Sequence, residues 1–376
     1  MINQRIKTYA TKYMNRQEIF GTEDVIPLWI ADMDLPGAPA ITRALIERAE
    51  HNVWGYTAIP EAYYQAFIDW QQRRNGVRYD LSLMSYADNL VQAIQLTLGA
   101  LLTPGDKVIV QPPVYHPFFK TVANNDLVQV NSALIEQDGY YRMDFDHLAK
   151  SVRDAKALIL CNPHNPVGRN WSEAELTKLV DLCVASDVLI LSDEIHSDLI
   201  HRGSFTPMQK LNQSHVITFN STGKSFNTAG LQGGYVIFPN KDMKQAYEDY
   251  AASHGRIGAN CFNIFSNIAA YNESEDWFDD TLKLIGDNID YVTDRIHRQI
   301  PRIKLRAPEA TYLMWLDFSD YGLSDKELLQ RCAKAGVGLG PGEWFGQGGQ
   351  QHMRLNAATE KELLEEALDR LVKEFA

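Results

Sequence analysis

The run VLILSDEIH, Val188–His196, changes character halfway along. Val188–Leu191 is short, wholly apolar and built from Val, Ile and Leu, the pattern of a strand buried on both faces. A serine, two acids and a histidine then follow within five residues, so the strand ends against something polar. The same kind of run recurs at Lys107–Gln111 (KVIVQ), Ala157–Cys161 (ALILC), Val216–Asn220 (VITFN) and Gly234–Phe238 (GYVIF). Between them lie helical patterns such as Ser172–Ala185 (SEAELTKLVDLCVA), which opens with a serine cap and a glutamate three residues later. Strands alternating with helices predict an α/β unit on a mostly parallel sheet covered on both faces.

Outward from this core the pattern changes at both ends. Residues 1–45 are loop-rich and carry WIADMDLP (Trp29–Pro36), crowded with acids. Residues 46–284 hold the alternating pattern. Residues 285–376 read as a smaller α+β unit: a long polar helix, ATYLMWLDF (Ala310–Phe318), a glycine-rich loop, a short strand near His352–Asn356 and a charged final helix. The first 45 residues are too few for a core of their own and are expected to pack with the C-terminal unit. The formal charge of −12 offers no basic surface for a nucleic-acid backbone, so no nucleic-acid partner is expected. The four cysteines show no metal or scaffold spacing, and no run is long and apolar enough to span a membrane. With no signal-peptide core at the start, a cytoplasmic location is expected.

Open parallel sheets bind ligands at the carboxyl ends of their strands. Reading the residues at those ends together gives Asn162 in CNPHNPVG, Asp193 in SDEIH, Ser221 and Lys224 in STGK, and Tyr115 in PPVYHP. An amide, a carboxylate, a hydroxyl, an amine and an aromatic ring are the set that pyridoxal 5′-phosphate (PLP) asks for. Its aldehyde needs a lysine, its ring nitrogen a carboxylate, and its phosphate hydroxyls and free N–H groups. Asp193 would face the ring nitrogen, Asn162 the phenolic oxygen and Tyr115 the ring face. Asp88–Asn89–Leu90 precedes an amphipathic helix, Val91–Leu102, whose start would offer the phosphate N–H groups and a positive dipole end. Arg354 in HMRLN could hold a substrate carboxylate in bidentate fashion.

Each residue has a plain alternative. A lysine in a Ser/Gly turn is most often solvated, Asp193 could cap the next segment, Asn162 before proline is a common turn opening, and Tyr115 could be a turn aromatic. It is their convergence on neighbouring strand ends that speaks for a site. Asp193, Glu194, His196, Asp198 and His201 superficially resemble a metal cluster, but their spacing fits no zinc motif and no metal is expected. GVGLGPG (Gly336–Gly342) lacks the last glycine of a dinucleotide fingerprint and follows a helix rather than a strand.

Through CNPHNPVG, SDEIH and STGKSFNTAGL, in that order, the chain resembles the fold-type I PLP-dependent enzymes, in the class I/II aminotransferase-like branch. With WIADMDLP, WGYTA (Trp54–Ala58), SDEIHSDL and MRLNAA it looks closest to the MalY/PatB-type C–S lyases, or cystathionine β-lyases. The resemblance implies the PLP-dependent transferase fold: a large domain on a mostly parallel, seven-stranded-type sheet, and a smaller α+β domain built from both termini. It implies Lys224 as the cofactor-binding lysine and the base at Cα, with Asp193, Asn162, Tyr115, Ser221, Asn89, Leu90 and His196 around the cofactor. Arg354 would take the substrate carboxylate. Tyr56 would reach the phosphate of a neighbouring subunit in a homodimer. Many aminotransferases of this fold carry an arginine after the lysine turn; here the stretch is LQGGYVIF, with Tyr235 expected at that position.

The reaction implied is β-elimination of L-cystathionine or a related cysteine thioether to a thiol, pyruvate and ammonia, with a place in amino-acid metabolism such as methionine biosynthesis. An aminotransferase shares the early chemistry and is the alternative. A PLP-fold protein serving mainly to bind a regulatory partner is a third reading, and no feature of the sequence speaks for it.

Overall fold

The computed structural model describes residues 5–256 and 258–376. Its main sheet has seven strands: β1 (Met84–Ala87), β2 (Lys107–Val110), β3 (Val128–Asn131), β4 (Ala155–Cys161), β5 (Leu189–Asp193), β6 (Val216–Asn220) and β7 (Gly234–Ile237). They lie in the order β1-β7-β6-β5-β4-β2-β3. β7 runs antiparallel to both its neighbours, and the other pairs are parallel. The helix Glu173–Ala185 crosses from β4 to β5, and its Ser172–Glu175 capping box satisfies N–H groups at its start.

Strand alternation sorts the side chains onto two faces. Ile159, Cys161, Leu191, Ile217 and Phe219 pack with the helix Leu90–Leu101 on one face. Leu158, Leu160, Ile190 and Val216 pack with Trp171 and Leu176 on the other. Each fully buried aliphatic side chain contributes about 1.5–3 kcal/mol relative to exposure. With both faces covered, polar groups are left to gather at the strand ends.

A second sheet is antiparallel and built from Lys304–Leu305, Leu313–Asp317, His352–Asn356 and Gly340–Pro341, in that spatial order. The helices Glu275–Gln299 and Lys361–Phe375 belong to the same part of the chain. The N-terminal segment joins it directly: Ile26–Pro27 pairs in parallel with Val337–Gly338, and Asn356 N donates to Leu28 O at 3.0 Å. Among the described residues no helix is long and apolar enough to cross a membrane.

Candidate active site

Cys161 ends β4, Asp193 ends β5, and the two are register partners. Both share the parity of the face packed on the helix Leu90–Leu101, as does Ser221 directly after β6. All three line one cavity of about 230 Å³, together with Tyr115, His196, Lys224, Asn89 and Leu90. The sheet thus delivers most of the expected residues to a single crevice.

Lys224 sits in the one-turn helix Thr222–Ser225, and its Nζ donates to Ala31 O at 2.6 Å. Burial, with the nearby Arg354 charge adding to it, pushes the amine down to about 8. Burial pushes the Asp193 carboxyl up to about 6, against the Ile195 N–H that bonds its Oδ1 at 3.2 Å. His196 is buried, its Nδ1 has no partner among the described residues, and its ring meets Tyr312 edge-on at 6.1 Å. Burial holds that imidazole well below its ordinary range, so it is neutral. Asp198 and His201 turn elsewhere, Asp198 to Trp70 and Ser225, His201 to Thr311 O.

At the other end of the cavity Asn89 caps the helix Leu90–Leu101, its Oδ1 accepting from Gln92 N at 2.9 Å. The N–H groups of Leu90 and Val91 have no acceptor within the helix and line the cavity. Ser221 Oγ accepts from Gly223 N at 3.0 Å and donates to Gly233 O at 2.9 Å. Gly233 has φ +121°, and a Cβ there would meet Asn263 Oδ1 at 2.1 Å, so this turn admits only glycine. A helix start with adjoining hydroxyl and turn N–H groups is an anion cradle.

Arg354 reaches the site from the second sheet. It is buried, donates to Asn165 Oδ1 at 3.0 Å and Trp29 O at 2.7 Å, and stands 4.9 Å from the Phe345 ring centroid. Among the described residues no carboxylate lies within 4.0 Å of it, so a buried cation is left available to an anionic ligand. Burial brings its guanidinium down to about 10.

Two expectations are corrected. Asn162 does not reach the cavity. It has the parity of Leu160, so its side chain turns to the opposite face and donates to Thr206 O at 3.3 Å. Asn165, in the second Asn-Pro of CNPHNPVG, lines the cavity instead and bonds Arg354. Tyr235 does not face the anion cradle either. It is fully buried, stacked on Phe67 at 4.3 Å and Tyr63 at 4.6 Å, and the residues of that stretch at the cavity are Gln232 and Gly233. A repeated Asn-Pro was the available signal for Asn165; nothing local marks Gln232. Tyr56 is 99% exposed, in a stretch without helix or strand, and is not in this chain's cavity.

An amine held at reduced basicity, a carboxylate one strand away, an anion cradle and a free arginine on the edge of an open, mostly parallel sheet define a PLP-dependent enzyme of fold type I. The donor set fits the cofactor: Lys224 for its aldehyde, Asp193 for its ring nitrogen, and the cradle for its phosphate. Residues 23–371 match the model of the family described as Aminotransferase class I and II, and the chain belongs to that family. It is 38% identical over 375 residues to "Cystathionine beta-lyase PatB" of Bacillus subtilis, covering 98% of this chain and 97% of that protein. Two solved structures are close in shape. Cystalysin of Treponema denticola, which contains a pyridoxal 5′-phosphate cofactor, superposes with TM-score 0.95 at 31% identity, covering 98% of this chain and 96% of that one. The PLP-bound C–S lyase of Staphylococcus hominis gives 0.92 at 30%, covering 99% and 96%.

Proposed function

We propose that this protein is a PLP-dependent carbon–sulfur β-lyase acting on L-cystathionine or a related cysteine thioether. The observation that carries the reading is the meeting of Lys224, Asp193 and Arg354 around one cavity with an anion cradle at its far end. Full-length similarity to a protein named as a cystathionine β-lyase favours elimination over amino-group transfer.

When bound, PLP supplies an electron sink for the charge that forms at the substrate Cα. The chain's own groups do the rest. Arg354 holds the α-carboxylate and sets which Cα bond faces Lys224. With its amine lowered to about 8, Lys224 has an unprotonated fraction near neutral pH and takes the Cα proton. The C–S bond then breaks with its electron pair on sulfur, and water completes the release of thiol, pyruvate and ammonia. Asp193 and Asn165 would hold the cofactor's ring nitrogen and phenolic oxygen, and Tyr115 its ring face. Gln232 lines the cavity as a neutral side chain, and we assign it, rather than Tyr235, to the position where many aminotransferases of this fold carry an arginine.

The exposed Tyr56 is assigned to the phosphate end of a second copy's cavity, which makes the working unit a homodimer. The test of function is release of pyruvate and free thiol from L-cystathionine with PLP present and no keto acid. Equal release of both is expected. Amino-group transfer alone, seen only after a keto acid is added, would make the protein an aminotransferase.

A further inference from the structure

Alternate residues of the N-terminal segment turn their backbone carbonyls to Arg354 and Lys224, and their neighbours turn theirs to Asn356. Trp29 O accepts from Arg354 at 2.7 Å, and Ala31 O accepts from Lys224 Nζ at 2.6 Å and the Tyr312 hydroxyl at 3.1 Å. Ile30 O and Asp32 O both accept from Asn356 Nδ2, at 2.7 and 2.6 Å. What holds the segment in place lies behind it. Lys12 is 0% exposed; its Nζ donates to Asp32 O at 2.9 Å and lies 2.8 Å from both Asp32 Oδ1 and Asp34 Oδ2. Arg5 completes the cluster, pairing with Asp32 at 2.8 Å and also with Asp34. Two cations thus balance two carboxylates. Lys12 and Asp34 form the buried half of this cluster and Arg5 and Asp32 its partly exposed half; removing one member of the buried pair is costly because a charge is left unpaired. The cluster therefore admits one placement of Asp32, and with it one placement of the Ala31 carbonyl.

We propose that Lys12 is a positioning residue for Lys224: by clamping Asp32 and Asp34 it fixes the carbonyl of Ala31 that receives the Lys224 amine. The inference rests on reading Lys224 as the catalytic lysine. An amine detached from the cofactor is then held toward the cavity by Ala31 instead of swinging among rotamers, which is the condition for rapid proton transfer.

The charged groups that act on Lys224 are Arg354 from the second sheet, Asp193 from β5, and Asp32 and Lys12 from the N-terminal segment; neutral His196 adjoins it. Two consequences of losing Lys12 have opposite signs. Removing its charge alone would make Lys224 harder to deprotonate. Losing the Ala31 acceptor, which bonds the ammonium form, would make Lys224 easier to deprotonate.

The experiment is trace labelling of the cofactor-free, full-length chain with acetic anhydride across pH, read at Lys224 by mass spectrometry. It compares wild type with the double variant Lys12→Met, Asp34→Asn, which removes one charge of each sign. The expected result is a labelling midpoint lowered by about half a unit or more, with elimination kcat in the reloaded enzyme down about tenfold at little-changed KM. A midpoint that rises or stays in place overturns the proposal and leaves the cluster a structural tie. If the double variant does not fold, Asp34→Asn alone loosens the Lys12 clamp and keeps the charges that act on Lys224; a smaller downward shift is expected, and no shift overturns the proposal. Labelling needs neither cofactor nor substrate, so failure here is distinct from failure of the catalytic reading, which full turnover by Lys224→Ala would reveal.

Discussion

Arg354 and Asn165 are joined by a 3.0 Å hydrogen bond from guanidinium to amide oxygen, which ties the second sheet to the loop after β4. The residue proposed to take the substrate carboxylate and the residue proposed for the cofactor's phenolic oxygen are thereby held to each other. Arg354→Lys keeps the charge but loses the planar fork. It is expected to lower kcat/KM roughly ten- to hundredfold, mostly through KM, with cofactor content unchanged, as steady-state pyruvate release would show.

The two asparagines of CNPHNPVG make opposite predictions. Asn165→Ala should weaken cofactor retention and shift the visible absorption of the loaded enzyme. Asn162→Ala, whose amide serves Thr206 O on the far face, should leave cofactor affinity within about twofold. Titration of each cofactor-free variant with PLP, followed by absorbance and fluorescence, separates them.

Lys224 is proposed as both the cofactor's anchor and the base, and Lys224→Ala would remove both. Turnover is expected to fall by at least about 10²–10⁴-fold, and borohydride reduction should no longer fix cofactor to the chain. Thiol release at the wild-type rate would remove Lys224 from the mechanism.

Glu194 follows Asp193 and is fully buried, with Oε1 bonded by Ser192 Oγ at 3.0 Å and Met208 N at 3.1 Å and with Oε2 unpartnered among the described residues. Burial pushes its carboxyl from an ordinary 4.5 up to about 8. Between those values the folded chain keeps a proton that the unfolded chain has lost, so this residue makes stability fall as pH rises. Glu194→Gln should match wild type near pH 4 and be the more stable protein at pH 8. Urea unfolding at the two pH values would show it; equal stabilities at pH 8 would place the Glu194 titration lower.

The fold's centre was legible because its strands are buried on both faces and so are written as unbroken apolar runs. VITFN coincides with β6, and the runs at β2, β4, β5 and β7 differ from the observed strands only at their ends. β1 (MSYA) and β3 (VQVN) gave no such signal, because they lie at the two edges of the sheet and β3 is largely exposed. Asp193, Ser221 and Lys224 were singled out from their place at or just after strand ends, and the sheet brings all three to one cavity. Asn162 was misread because a strand end fixes a side chain's parity as well as its height, and position 162 has the wrong parity. Tyr235 illustrates the same limit, since β7 directs that ring into the aromatic core. The contacts of WIADMDLP with Lys12 and Lys224 depend on the folded path of the whole chain and leave no mark on local pattern.

The pairing of Ile26–Pro27 with Val337–Gly338 also sets a timetable. A ribosome adding about 5–20 residues per second emits Ala31 tens of seconds before Arg354 exists, and Ile26–Pro27 is made long before the strand that receives it. Until then Ile26–Pro27 waits without its strand partner while the main sheet can already assemble. The support that Arg354 and the second sheet give to Trp29 and Asn165 is thus added only after the cavity's own strands are made.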